Sequence, residues 1–454
     1  MESRNLELLE KVRDLLEGGQ RDAIRDLLSE LHPTDVVEIF AELTLEEASL
    51  TLNLFDDEFI ASVFEEMDYL EVARLLPELD RERLSSVLEE MAVDDLVDLL
   101  GDLPADEADQ LLAMMESEEV KDLRELLKYD EDTAGGIMTK EYIGLSPELT
   151  VGEATDHVRQ VADESETAYY IYVVNEQRSL VGVLSLRELI TSQSHLPLSD
   201  IMETNVISVS PDTDQEEVAR AVARYDLLAI PVVNGNNRML GIVTVDDVID
   251  VIEEEATEDI YRMAGTGADE SEEMAAGTWL KVRRRLPWLS FLLVGNFMSA
   301  NVIQGFTDTL ENIVALAYFI PVLIDMGGNV GTQSFAVVVR GISTGELDTR
   351  RLMRTVLREA QVGVVMGCLF GLAMALIAMT WQGSPMLGLV VGLSMSLTLF
   401  TASIIGTFVP LTFDRLGVDI AVASGPFITT AIDVTGLIIY FYLATTLMSH
   451  LVAV

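Results

Sequence analysis

The 454 residues carry 77 acids against 29 Lys and Arg, a formal charge of −48, yet the mean hydropathy is +0.29. One uniform domain does not hold both properties: the stretch to Gly277 contains 68 of the acids and 19 of the bases, and the remainder nine and ten. So negative a front excludes nucleic acid as a partner, because phosphate binding takes clustered Lys and Arg, and it makes cations the natural counter-charge.

A single Cys368 and four scattered His (His32, His157, His195, His450) exclude a disulfide framework and a Cys/His zinc site. The opening "MESRNLELLEKVRDLLEGG" is a charged amphipathic helix pattern without the apolar centre of a signal peptide. Residues 1–130 read as an acidic helical domain. "FDDEFIASVFEEMD", "LPELDRERLSSVLEEMAVDD" and "LPADEADQLLAMME" each pair an acidic or Pro-marked start with Leu, Val and Met at helical spacing. Units of this kind stack into an all-α, superhelical solenoid.

The pattern then alternates strand and helix, twice. "AYYIYVVNEQRSLVGVLSLRELI" and "DLLAIPVVNGNNRMLGIVTVDDVID" each predict a β-hairpin around a polar turn followed by a helix. They are preceded by the matching leads "GIMTKEYIGLSP" and "DIMETNVISVSP". The duplicated α/β pattern resembles tandem CBS domains, over 131–200 and 201–255. That resemblance implies an adenine nucleotide, such as ATP, as an optional ligand. "GIVTVDD" with Thr244 is similar to a ribose-contacting turn, and Tyr170, Arg187 and Glu188 would contribute from the first copy. Residues 256–284 form a connecting segment, from the acidic helix "DDVIDVIEEEATEDIYRM" to the basic, amphipathic "TWLKVRRRLPW".

Residues 285–454 hold five apolar segments, near 287–306, 313–338, 360–381, 387–411 and 421–447, each long enough to span a bilayer. Arg283, Arg284 and Arg285 precede the first, and Arg340, Arg350, Arg351, Arg354 and Arg358 fall between the second and third. Arg415 falls between the fourth and fifth, while "TDTLEN" and "WQGSP" carry no base. The positive-inside rule then gives one topology: cytoplasmic N-terminal domains, five spans and a C-terminus outside the cell membrane.

Asp433 interrupts the last span, "GPFITTAIDVTGLIIYFYLATTLM". A charge at that depth costs at least about 2.5–3.5 kcal/mol and marks a water-lined cation path. Thr429 and Thr430 lie one turn before it. A second interruption is "FIPVLIDMGGNVGTQSFAVVVRG", where Gly328, Asn329 and Thr332 are expected to break the helix and offer oxygens to an ion, the alternative being close packing of helices through small residues. Asp325 either faces that path or caps the broken helix. "SGP" breaks the chain again before Asp433, and Asp419 sits at the cytoplasmic start of the last span.

"PVLIDMGGNVGTQS", the Arg-rich loop and "GVDIAVASGPFITTAIDVTG" together resemble the MgtE family of magnesium channels, in domain order along the whole chain. Ile420 departs from the family's usual Pro. The resemblance implies a homodimer in the lipid of the cell membrane, with a Mg2+ pore on its two-fold axis and paired Asp433 side chains. It also gives the acidic front a use, with Mg2+ bridging carboxylates to close the channel. The candidates are Asp94, Asp95 and Asp98 in the helical domain and Asp226, Asp246, Asp247 and Asp250 in the second CBS domain. Glu255, Glu258 and Asp259 on the connecting helix complete the set, closing the pore mouth near Asp419. The competing readings are a proton- or sodium-coupled exchanger, a Mg2+ sensor without transport, and an intramembrane enzyme. The last lacks a second catalytic group near Asp433.

Overall fold

Acidic residues punctuate the front of the chain by capping its helices. Asp56, Asp68 and Asp80 each accept backbone N–H bonds from the first turn that follows, and Thr44 forms a reciprocal capping box with Glu47. Such caps satisfy N–H groups that no helix can satisfy itself, each stabilising by about 1 kcal/mol. The computed structural model describes residues 2–115, 119–161, 167–264, 278–343, 347, 352–416 and 425–452, in two units, Met1–Ile252 and Glu253–Val454.

Short helices open the first unit. They are α1 (Glu2–Glu17), α2 (Arg21–Leu28), α3 (Pro33–Ala41), α4 (Leu45–Leu52) and α5 (Asp57–Glu65). There follow α6 (Tyr69–Leu75), α7 (Arg81–Glu90), α8 (Val93–Asp102), α9 (Ala105–Leu112) and α10 (Glu119–Leu126). Helices two places apart pack on one another, α1 on α3, α3 on α5 and α5 on α7, with α2 on α4, α4 on α6 and α8 on α10. This is the superhelical stacking expected of the repeat. Ile24, Leu28, Val36, Ile39, Ile60, Phe64, Val87 and Leu88 fill its axis, each worth about 1.5–3 kcal/mol of burial.

The two CBS copies follow. In the first, β1 (Tyr142–Leu145) pairs parallel to β2 (Thr167–Val174), which pairs antiparallel to β3 (Leu180–Ser185), with α11 (Val151–Val161) and α12 (Leu186–Thr191) packed alongside. In the second, α13 (Gln215–Tyr225) precedes the antiparallel pair β4 (Ala229–Val233) and β5 (Met239–Thr244), and α14 (Val245–Ala264) follows. The two hairpin turns meet. Arg178 and Asn237 take left-handed φ of 59° and 57°. Leu180 N–H bonds the Asn237 carbonyl at 2.9 Å and Met239 N–H bonds that of Arg178 at 3.0 Å.

Among its described residues the second unit holds five helices long and apolar enough to cross a membrane. They belong to α15 (Thr278–Gly305), α17 (Ile320–Ser343), α18 (Leu352–Gln382), α19 (Pro385–Arg415) and α20 (Gly425–Val452), with the short α16 (Thr307–Asn312) after the first. α19 is central and packs against α17, α18 and α20, while α15 packs on α20. Helices without a hydrophobic drive between them associate through close backbone approach and polar bonds. Here Ser396 Oγ donates to the Gly367 carbonyl of α18 at 2.8 Å, and buried Tyr440 donates to the Leu316 carbonyl at 2.8 Å.

One expectation fails. α17 runs unbroken through "GGNVGTQS". The glycines there are packing positions rather than breaks: a Cβ on Gly331 would lie 2.0 Å from Ile432 Cδ1 of α20, and one on Gly406 of α19 would lie 2.3 Å from the Gly331 carbonyl oxygen. Asp325 therefore caps nothing. The break expected at "SGP" falls at the edge of the described residues: α20 is described from Gly425, and Ser424 lies outside them.

Candidate functional site

α17 and α20 lean on each other through small residues. Gly328 faces Thr429, whose methyl would stand 3.7 Å from an added Cβ, and Ile432 fills the notch at Gly327 and Gly331. Asp433 is the next residue on α20, half-buried, and its carboxylate has no hydrogen-bond partner among the described residues. On α17, turned away from the glycine face, Asp325, Asn329 and Gln333 recur every four residues and are all exposed. Asn329 Nδ2 donates to Asp325 Oδ2 at 3.2 Å. Hydrocarbon does not tolerate an exposed row of acid and amide groups, so this stripe faces water or protein.

The remaining sequence candidates divide. Thr332 Oγ1 donates to the carbonyls of Gly328 and Asn329, both at 3.0 Å, and Thr429 Oγ1 to that of Pro426 at 3.1 Å. Because the helix is continuous, Gly328 offers its carbonyl to Thr332 rather than to an ion. The oxygens left exposed on α17 are those of the Asp325, Asn329 and Gln333 side chains, and α20 adds the half-buried carboxylate of Asp433. Thr430 turns to a different neighbour from Thr429: it packs on Gly295 of α15, where a Cβ would fall 2.3 Å from its methyl. Asp419 lies outside the described residues.

In the first unit, carboxylates separated widely in sequence converge. Asp94 is buried at the start of α8, and its Oδ1 accepts from Asp95 N–H at 3.2 Å. Asp95 feels the charges of Asp94, Glu65, Asp247 and Asp98; burial above all, and these neighbours after it, push it up to about 9. Asp247, at the start of α14, is pushed up to about 7 by burial and by Asp94. The 2.5 Å bond from Thr244 Oγ1 to Asp247 Oδ2 opposes that shift. Among the described residues, no three such side chains close on a single point as a ready-made metal site.

Glu65 and Glu141 belong to this cluster and sequence reasoning missed them. Glu65 Oε1 accepts from Ala92 N–H, the cap of α8, at 2.6 Å, and burial raises its pKa. Burial and Glu65 raise that of Glu141. Nothing in "VFEEMD" or "TKEYIG" distinguishes them from solvated acids.

Asp98, Asp246 and Asp250 are exposed. Asp226 is exposed too, in a left-handed conformation (φ 52°) that ends α13, its N–H bonded to the Val222 carbonyl. Glu255, Glu258 and Asp259 are half-buried on α14. Of the nucleotide candidates, Glu188 accepts from both the N–H and the hydroxyl of Ser185 at 2.8 Å. Thr244 and Asp247 repeat that turn in the second copy. Tyr170 pairs with Ser185 across β2 and β3, and Arg187 is exposed.

Three known families match the chain, over four regions. They are the MgtE intracellular N domain over residues 31–132, the CBS domain over 134–195 and again over 198–254, and MgtE, described as a divalent cation transporter, over 320–443. The magnesium transporter MgtE of Thermus thermophilus is 39% identical over 96% of this chain and 98% of its own. That of Bacillus subtilis (strain 168) is 43% identical over 72% of each. Among solved structures, the cytosolic domain of the Mg2+ channel MgtE in complex with ATP is 39% identical, with a TM-score of 0.52 over 54% of this chain and 99% of that one. The soluble part of a magnesium transporter is 35% identical, with a TM-score of 0.53 over 56% and 99%.

Proposed function

Since the chain belongs to the MgtE family of divalent cation transporters, we propose that it conducts Mg2+ into the cell down its electrochemical gradient and is closed by Mg2+ on the cytoplasmic side. The observation that carries this reading is that two helices packed on each other carry such groups, α17 the exposed Asp325–Asn329 stripe and α20 the half-buried, unbonded Asp433. A second copy of the chain supplies the other wall, as a homodimer whose two stripes enclose a wet path. Mg2+ sheds water reluctantly and is held by one or two carboxylates through its remaining waters. A few carboxylates and amides satisfy that need, and they bind weakly enough for the ion to leave.

The gate is the acidic front. Asp94, Asp95 and Glu65 of the helical domain, facing Asp247 and Glu141 of the CBS pair, repel one another while ionised. Mg2+ neutralises them and holds the domains together. Asp98, Asp226, Asp246 and Asp250 extend the cation-binding surface, and Glu255, Glu258 and Asp259 carry the signal along α14 toward the pore mouth at Asp419. Coupling follows if Mg2+ binds the closed state preferentially. The C-terminus of α20 is outside.

The CBS pair suits an adenine nucleotide. Glu188 and Asp247 already accept from hydroxyls, as they would from a ribose diol, and exposed Arg187 matches a phosphate. With Tyr170 and Thr244 they would hold a ligand that ties the two copies together.

Transport tests the reading. Proteoliposomes given a Mg2+ gradient, but no proton or sodium gradient, should take up Mg2+ at a rate that ionophores for those ions leave unchanged. Uptake that requires either gradient would make the protein a coupled exchanger.

A further inference from the structure

Four hydroxyls of α19 bond back into their own helix: Ser396 to the Gly392 carbonyl, Thr401 to Leu397, Thr407 to Ser403 and Thr412 to Phe408. This is the usual recourse of Ser and Thr in membrane helices. Ser394, Thr398 and Ser403 depart from this pattern, each buried with its hydroxyl unbonded; of the three, Thr398, 2% exposed, is the one whose methyl lies against glycines of two other helices. An unbonded buried hydroxyl costs about 1–3 kcal/mol, so some other contact holds the side chain in this orientation.

That contact is made by its methyl group. A Cβ built on Gly327 of α17 would lie 2.9 Å from Thr398 Cγ2, and one built on Gly436 of α20 would lie 3.0 Å from the same methyl. Gly327 is two residues from Asn329, and Gly436 three from Asp433. One methyl group from the central helix thus touches both helices that carry the proposed ion-path oxygens, within a turn of those oxygens.

We propose that Thr398 is a specificity-determining positioning residue. Its γ-methyl spaces α17 from α20 and so sets the separation of Asn329 and Asp433, which decides how much of its water a passing cation keeps. The proposal rests on the ion-path reading above. A path wide enough for a largely hydrated ion favours Mg2+, whereas a narrower one favours ions such as Ca2+ that accept flexible, dehydrated oxygen shells. Removing the spacer lets the two helices close, and the preference then moves toward Ca2+.

The test measures Mg2+ and Ca2+ flux separately for the full chain in proteoliposomes. Thr398→Val keeps the methyl and removes the orphan hydroxyl; it should leave the Ca2+/Mg2+ ratio unchanged and raise the melting temperature. Thr398→Ser and Thr398→Ala remove the methyl and should raise the ratio several-fold. Gly436→Ala adds a methyl from the opposite side, so combining it with Thr398→Ala should restore the native ratio. It also gives a second variant should Thr398→Ala fold poorly. Ser and Ala variants that fold and keep the native ratio would overturn the proposal, as would a shifted ratio in Thr398→Val or a double variant without rescue. Asp433→Ala run alongside separates the two ideas. Flux that survives it defeats the ion-path reading, whereas flux it abolishes while the Thr398 variants stay native defeats only the spacer.

Discussion

Asp247 of the second CBS copy stands within electrostatic reach of Asp94 and Asp95 of the helical domain, although most of the first unit's chain separates them. A domain contact built on buried like charges is poised against itself. It closes when the charge is neutralised and opens when it is not.

Neutral amides at these positions should imitate bound Mg2+. In the full chain, Asp95→Asn combined with Asp247→Asn should protect the segment joining the helical domain to the CBS pair from protease without Mg2+, to about the level the native protein reaches with it. Protection that still rises with Mg2+ as in the native chain would contradict the assignment.

The same pair sets a pH dependence. Both carboxyls have pKa values raised above the unfolded value, Asp247 to about 7 and Asp95 to about 9. Raised acids contribute stability that is complete below the unfolded pKa and is lost as pH rises through the folded one. Without Mg2+, the closed contact should therefore weaken as pH rises above the ordinary carboxylate range, most steeply up to about 7 and more gently from there to about 9. Mg2+ should flatten that slope, because it neutralises the carboxylates in place of protons. Hydrogen exchange of α8 against pH, with and without Mg2+, reads both effects.

Arg83 ties α7 to the first residue of α5 and the turn before it. Its Nε donates to Asp57 Oδ1 at 2.9 Å, and its two Nη groups reach the Asn53 side chain and the Phe55 carbonyl. Arg83→Ala should destabilise the helical domain by about 1.5–3 kcal/mol, the worth of a charge-assisted cluster, read as a lower melting temperature with Mg2+ present. A change within a few tenths of a kcal/mol would make the cluster a solvated surface contact.

Gly406→Ala should lower the melting temperature of the detergent-solubilised protein, because its Cβ would fall 2.3 Å from the Gly331 carbonyl oxygen and backbone cannot step aside. Overpacking of this kind costs about 1–3 kcal/mol. Unchanged melting would mean that α17 and α19 do not approach so closely at this level.

The five spans and the twin hairpins were legible because their signals are local: length, apolarity and polar turns. The stacking of the front helices was legible through its repeated acidic starts, which proved to be caps at Asp56 and Asp80. What failed was the inference from Gly327, Gly328 and Gly331 to a broken helix. Glycine encodes both a backbone break and a close helix crossing, and only the partner, here Ile432 and Gly406, decides which. The partnership of Glu65 and Glu141 with Asp95, and the seat of Thr398 between two glycines, arise from tertiary contacts that leave no local pattern.

Mg2+ flux into proteoliposomes by the native protein and by Asp433→Ala, with Mg2+ varied on the cytoplasmic face, distinguishes an ion path through Asp433 from a structural carboxylate. The native protein should conduct when cytoplasmic Mg2+ is low and fall silent when it is high, and Asp433→Ala should conduct no more than protein-free vesicles at either level. Native flux persisting in Asp433→Ala would reduce the carboxylate to a structural residue and contradict the ion path described above.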